Sequence, residues 1–237
     1  MTPENAGKLQ SEIAYEKIND LILHMELLPG QHISEVALSK RLSISRTPIR
    51  DGLRRLEKEG LVRISKNRGA SVTDFTQDEI KNVGHVRLVQ DILSVQMAIY
   101  YGCEADFSWL EQLADVCAKQ ASRDDAFGRI RSDLDFHLAI TEIADNDLLY
   151  RQQYSVYQLV HLIQVRKYSS VDASMSQISH HKPLVAAMRR GDVDEAVRLV
   201  CEHLKLFFSL DDHILEYYLS HRVTPPGGQP SPYISRK

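Results

Sequence analysis

The chain predicts a mainly α protein in two parts, a small N-terminal helical module closed by a β-hairpin and a longer all-α antiparallel bundle. Three observations point there. Apolar residues recur at three-to-four spacing over most of the chain, no proline occurs from Ile49 through Lys182, and charge is segregated. Ten basic residues stand against three acidic ones between Val36 and Val72, an excess of seven positive charges within a net charge of −3. A long proline-free stretch with helical period is the mark of helix after helix, and a basic block beside an acidic remainder implies two modules with different partners.

At roughly 150 residues per domain, 237 residues allow one large domain or two modest ones. We expect a module over residues 1–75, a bundle over 76–221 and a disordered tail over 222–237, where four of the eight prolines cluster and little apolar area is available to bury. No apolar run approaches the roughly 18 to 20 residues that span a bilayer, and the N-terminal segment does not resemble a secretory signal, so a cytoplasmic protein without a membrane partner is expected. Cys103, Cys117 and Cys201 lack metal-type spacing and read as reduced core residues.

In the first module, Leu9, Ile13, Ile18, Leu21, Ile22, Met25 and Leu28 form one apolar face, predicting a helix ended by Pro29-Gly30. Ser34 caps a second helix carrying Leu38 and Leu42, and a third begins at Ser45 to Pro48 after the short Ser43-Ile44 link. So short a link suggests a helix-turn-helix. On the third helix Ile49, Leu53 and Leu56 make a core stripe while Arg46, Arg50 and Arg54 repeat every fourth residue on another face, an arrangement suited to a DNA major groove. Ser45 and Thr47 offer hydroxyls to phosphates at the helix start, where recognition helices reach base edges. Leu61 to Ile64 and Ala70 to Val72 read as a hairpin turning at Gly69, a wing with Arg68 at its tip. The segment PGQHISEVALSKRLSISRTPIRDGLRRLEKEGLVRISKNRGASV closely resembles the winged helix-turn-helix of GntR-family transcription regulators. The resemblance spans Leu9 to Phe75 and implies DNA contacts from Ser45, Arg46, Thr47, Pro48, Arg50 and the wing at Arg68 and Gly69, to which the arginine row adds Arg54. Two positions depart from the family pattern: Ser43 stands where glycine is usual in the turn, and Asp51-Gly52 replaces Glu-Ala. A helical glycine costs about 1 kcal/mol against alanine, so Gly52 is expected to soften the recognition helix or alter operator preference.

The second module reads as helices over Glu79 to Tyr101, Ser108 to Arg123, Phe127 to Ala144, Asp147 to Tyr168, Ser176 to Arg190 and Asp192 to Leu219. Titratable residues fall on its core stripes. Asp133 and His137 lie one turn apart and can share one ion, His181 precedes Leu184, Val185 and Met188, and His203 shares the face of Leu199, Val200 and Phe207. A lone histidine on an apolar face is ordinarily a hydrogen-bonded core residue, but four such groups on three helices are costly to bury without a cation. SDLDFHLAITEIADN, HKPLVAAMRRGDVDEAV and CEHLKLF resemble the FCD effector domain of the FadR subfamily. That resemblance implies a divalent ion on Asp133, His137, His181 and His203, with His181 chosen over His180 by the family register. It also implies an organic-acid effector, with Arg87 as an anion contact and Asn146 and Arg166 as further effector-binding residues. One oxygen and three imidazoles suit zinc first, then nickel, manganese or iron.

The resulting expectation is a homodimeric, metabolite-responsive repressor that grips a palindromic operator and is not an enzyme. The competing readings are a regulator whose metal is structural or itself the signal, and a metal-dependent enzyme acting on small acids, for which no general base or nucleophile stands beside the ligands.

Overall fold

The computed structural model describes residues 3–66, 68–123, 125–167 and 178–220. Its elements run α1 (Pro3–Leu23), β1 (His32–Ile33), α2 (Glu35–Leu42), α3 (Arg46–Lys58), β2 (Val62–Ser65), β3 (Gly69–Val72), α4 (Gln77–Tyr101), α5 (Glu104–Ala121), α6 (Ala126–Ile143), α7 (Asp147–Lys167), α8 (His181–Arg189), α9 (Val193–Phe208) and α10 (Asp212–Ser220). The tail expected to be disordered lies outside the described residues.

The first module packs α1 across α3, burying Ala14, Ile18 and Ile22 against Ile49, Leu53 and Leu56. Gly52 makes that crossing close. A Cβ on it would stand 2.9 Å from the Tyr15 backbone nitrogen and 3.2 Å from its Cα. The expectation of a softened recognition helix is therefore corrected: this glycine is a packing position, since only a residue without a Cβ lets the two backbones approach so far. α1 stops at Leu23 and not at Pro29, because Met25 turns into the left-handed region (φ 61°) while the Glu26 and Leu27 amides donate back to the Leu21 carbonyl. The sheet has three strands in the order β1-β3-β2, all antiparallel, with Ile33 paired to Ala70 and Val62 to Val72. A two-residue strand such as β1 carries too little alternation to be read from sequence.

The turn between α2 and α3 accounts for the glycine usual there. Ser43 adopts φ 55° as the C-cap of α2, its amide donating to the Ser39 carbonyl, and the Ser39 hydroxyl donates to the Ile44 carbonyl at 2.6 Å. A serine in this conformation costs more than glycine, and the second hydrogen bond offsets part of that.

In the bundle α4 lies against α6, α7, α8 and α9, and the core gathers Leu88, Val95, Phe136, Ile140, Tyr157, Leu184 and Leu204. Gly84 admits the Phe208 side chain, whose Cβ and ring atoms would stand 2.4 to 2.9 Å from an added Cβ. The last predicted helix is in fact two. Ser209 turns left-handed (φ 55°) at the end of α9, and the chain restarts in α10, held by Lys205 on Asp212 and Lys81 on Asp211, each at 2.6 Å. Cys117 and Cys201 are buried as expected, whereas Cys103 is exposed ahead of α5. The two modules share a boundary: Leu162 of α7 enters the core of the winged module, and Arg63 of β2 pairs with Glu79 of α4 at 2.7 Å.

Candidate metal centre and nucleic-acid interface

Asp133 and His137 project from α6, His181 from the first turn of α8 and His203 from α9, and all four are buried. Each offers one donor atom, and the four atoms lie within 4.8 Å of one another. Bonded to one ion at roughly 2.0–2.2 Å, such donors stand about 3 to 4.4 Å apart, so the chain is already close to a chelating arrangement. The Asp133 Oδ1 faces His181 Nε2 at 3.3 Å and His137 Nε2 at 3.7 Å, and the Nε2 atoms of His137 and His203 meet at 3.0 Å. Asp133 Oδ1 and both His181 ring nitrogens have no hydrogen-bond partner. Buried polar atoms left this way cost free energy, and a cation at the centre of the four would satisfy the ones that converge. The donor set thus fits a divalent ion.

The electrostatics favour the ligating forms. Burial pushes the His137 imidazole well below its usual pKa, helped by the nearby Arg87 charge, and burial with the neighbouring His181 does the same to His203, so both are neutral. Burial works against the Asp133 carboxylate, but contact with His181 and the surrounding histidines outweigh it and hold the group below the ordinary carboxylate range. The other oxygen, Oδ2, accepts from Gln164 Nε2 at 2.6 Å, which orients the carboxylate.

His180, the alternative ligand by sequence, is half-buried and outside the cluster of four. Arg87 is fully buried, its Nε donating to Asp91 Oδ2 at 3.1 Å while Nη1 and Nη2 find no hydrogen-bond partner. Asn146 is elsewhere: its Oδ1 accepts from the Leu149 amide at 3.0 Å and so caps α7. Arg166, the other effector-binding candidate, is exposed, pairs with Asp74 at 3.3 Å in the link between the modules, and is not among the residues that line the cavity beside the four donors. Sequence reasoning missed the support behind the cluster. Asp91 Oδ1 accepts from the Tyr157 hydroxyl at 2.7 Å and from Gln153 Nε2 at 2.5 Å, and Gln153 Oε1 accepts from Ser94 at 2.8 Å and Thr141 at 2.5 Å. The available signal is the spacing of Gln153, Tyr157 and Gln164, which sets all three on one face of α7. Between these groups and His137 and His203 lies a cavity of about 10 Å³, room for roughly one water.

In the winged module, Ser45 is the N-cap of α3 without using its hydroxyl for the cap. Arg46, Thr47, Arg50 and Arg54 are exposed, and Pro48 sits in the first turn of α3, where a missing N–H costs nothing. Glu35, the first residue of α2, holds Arg50 through two hydrogen bonds at 2.9 and 3.2 Å and stands 3.6 Å from Arg46. The Arg50 contact keeps the Glu35 carboxyl below its ordinary pKa. Arg54 leans on Asp51 at 3.9 Å. Arg68 and Gly69 (φ 71°) are exposed at the wing turn, and a Cβ on Gly69 would meet the His32 ring at 3.0 Å. Arg55, by contrast, faces α1, pairing with Glu12 at 2.7 Å and lying 3.7 Å over the Tyr15 ring.

Comparison with known proteins agrees with this division. Residues 10–72 match the family "Bacterial regulatory proteins, gntR family", and residues 85–206 match the FCD domain family. The chain is 25% identical over 212 residues to an uncharacterized HTH-type transcriptional regulator, YdhC of Bacillus subtilis, covering 85% of this chain and 91% of that one. It is 25% identical over 187 residues to the HTH-type transcriptional repressor RspR of Escherichia coli, covering 78% and 81%. Among solved structures, a GntR regulator from Rhodococcus sp. RHA1 superposes with a TM-score of 0.74 at 20% identity, covering 85% and 96% of the two chains, and E. coli McbR/YncC with 0.72 at 16%, covering 88% and 98%. Among the described residues no helix is long and apolar enough to cross a membrane. The chain belongs to the GntR family of bacterial regulatory proteins, with an FCD domain behind its helix-turn-helix, and is a DNA-binding transcription regulator, not an enzyme.

Proposed function

We propose that the protein is a homodimeric, cytoplasmic repressor whose grip on a palindromic operator is set by a small organic acid bound beside a divalent metal in the bundle. The observation that carries this reading is the convergence of Asp133, His137, His181 and His203 next to a fully buried Arg87 whose two terminal nitrogens are unsatisfied. Three imidazoles and one carboxylate suit zinc before nickel, manganese or iron, and leave positions open on a metal that accepts more than four ligands. A carboxylate there would meet the metal on one side and the guanidinium on the other. A cavity of about 10 Å³ is too small for any acid of several carbons, so entry requires α4, α6, α7 and α9 to part, and binding then has a mechanical consequence for the wings.

At the operator, Arg46, Arg50 and Arg54 would enter the major groove, Ser45, Thr47 and Pro48 would meet the backbone at the start of α3, and Arg68 and Gly69 would approach the neighbouring phosphates. Two-fold half-sites call for a two-fold dimer. Exposed apolar side chains of α4 (Val86, Val89, Leu93) beside Tyr217 and Leu219 of α10 offer it a surface.

The tight cavity also favours a second reading, in which the metal is structural or is itself the signal. Native mass spectrometry, with elemental analysis, reads dimer, metal and co-purified acid together. Operator titrations of metal-loaded and chelated protein, with and without citrate or a C4 dicarboxylate, then decide. Operator affinity that moves with acid only in the metal-loaded protein supports the proposal. Affinity that follows metal alone favours the second reading.

A further inference from the structure

A second cavity, of about 160 Å³, lies where the winged module meets the bundle, between the end of α1, α6 and α7. Its unpartnered buried polar atoms are both acceptors. Asn19, 8% exposed, and His161, 2% exposed, both line it, and Asn19 Oδ1 and His161 Nε2 have no hydrogen-bond partner. One His161 nitrogen donates to the Leu23 carbonyl, and burial holds the ring neutral with a pKa down to about 4, so the unpartnered Nε2 carries a lone pair. The carboxylates of Asp20 and Asp135 also line the space, against a single guanidinium, Arg131, whose Nε is committed to Asp135 at 2.9 and 3.1 Å. Phe127, Tyr154 and Tyr157 supply aromatic walls, with His24 stacked on Phe127 at 5.1 Å.

We infer that this junction is a second ligand site, distinct from the candidate metal centre, for a small protonated aromatic amine. Unsatisfied acceptors and an excess carboxylate call for a cationic donor, and aromatic faces attract both the cation and an aryl ring. The volume is right for a ring with a short arm, since a cavity of about 150 Å³ accommodates benzene. An occupant would touch α1, which carries the winged module's core, and Tyr157, whose hydroxyl supports Asp91 beside the metal ligands, so it would tie the two modules together.

The test is calorimetric titration of the full-length protein with benzylamine, using benzyl alcohol and benzoate as neutral and anionic counterparts. Saturable binding of benzylamine is expected, at least about tenfold tighter than either counterpart. It should survive chelation of metal and be lost in both Asn19→Leu and the cavity-filling Leu138→Trp, each checked for an unchanged circular dichroism spectrum. The inference is overturned if benzylamine gives no saturable heat to roughly 10 mM, if benzoate binds equally well, or if binding persists in Leu138→Trp. Binding that vanishes on chelation would place the amine at the metal centre and also overturn it, without bearing on whether acids act there.

Discussion

His137 and His203, 66 residues apart in sequence on α6 and α9, bring their Nε2 atoms to 3.0 Å. Both imidazoles are neutral for the reasons of burial given above, so without an ion one nitrogen must donate to the other, while an ion between them would take both lone pairs. Either His137→Ala or His203→Ala is therefore expected to abolish stoichiometric metal in elemental analysis. Gln164→Leu, which only frees Asp133 Oδ2, should weaken metal binding by about 10- to 100-fold, and His180→Ala should leave it unchanged. Full metal in His203→Ala would dismiss the four-residue site.

Arg87 and Asp91 form a buried pair inside the bundle at 3.1 Å. Removing one partner leaves the other charged and unpaired, so Arg87→Met should cost about 3–5 kcal/mol in urea denaturation. The double variant Arg87→Met, Asp91→Asn should recover part of that, because asparagine removes the charge while its oxygen can still accept from Tyr157 and Gln153. No recovery would mean that Arg87 matters to stability through something other than this pair.

Glu35 pairs with Arg50 at 2.9 Å and stands 3.6 Å from Arg46, so at an operator bound as proposed it would compete with DNA for both. Arg50→Ala should weaken operator binding by about 1–3 kcal/mol and flatten its dependence on salt. Glu35→Gln removes a negative charge from the same face and should tighten binding at low salt, with little change in stability because exposed pairs contribute about 0–1 kcal/mol. Gel-shift titrations across a salt series measure both, and weaker binding by Glu35→Gln would show that the carboxylate positions the arginines instead of restraining them.

Gly52→Ala pits helix propensity against packing. The substitution gains about 1 kcal/mol in an open helix, but its Cβ would press on the Tyr15 backbone at 2.9 Å, and overpacking costs about 1–3 kcal/mol. Backbone yields less readily than a side chain, so a lower melting temperature is expected. A higher one would mean that α1 and α3 separate at little cost.

His161 has a pKa near 4 in the folded chain, below the usual 6.5, through burial. As pH falls the unfolded state takes up this proton first, so the contribution to stability is complete above about 6.5 and lost progressively down to about 4, to a total of about 3 kcal/mol. His161→Gln should flatten the dependence of stability on pH within that window, measured by thermal melts of metal-free protein. Identical slopes in the two proteins would refute it.

Much of the architecture was legible because periodicity and charge are local properties. The core stripe Ile49, Leu53, Leu56 and the arginine row beside it are written at fixed spacing on one helix, and Asp133 and His137 announce a shared face by lying one turn apart. The errors fell where an interaction with a distant segment overrides the local rule. The pattern through Asp192 to Leu219 is continuous, yet Ser209 breaks it, and α10 is held by ion pairs to Lys81 and Lys205. Gly52 looked like a weakness in a helix, since nothing nearby in sequence reveals the Tyr15 backbone against it.

By itself, then, the sequence determined which residues stand on core faces and which helix carries the arginines, since helical spacing alone decides that. Only the tertiary structure decided that Asp133, His137, His181 and His203 meet within 4.8 Å, that Arg166 belongs to the surface, and that Asn19 and His161 share a cavity. The reason is physical: a helix's own period sets the direction of a side chain, but which side chains from separate helices converge is set by how close the backbones pack, and that depends on glycines such as Gly52 and Gly84 and on partners far along the chain.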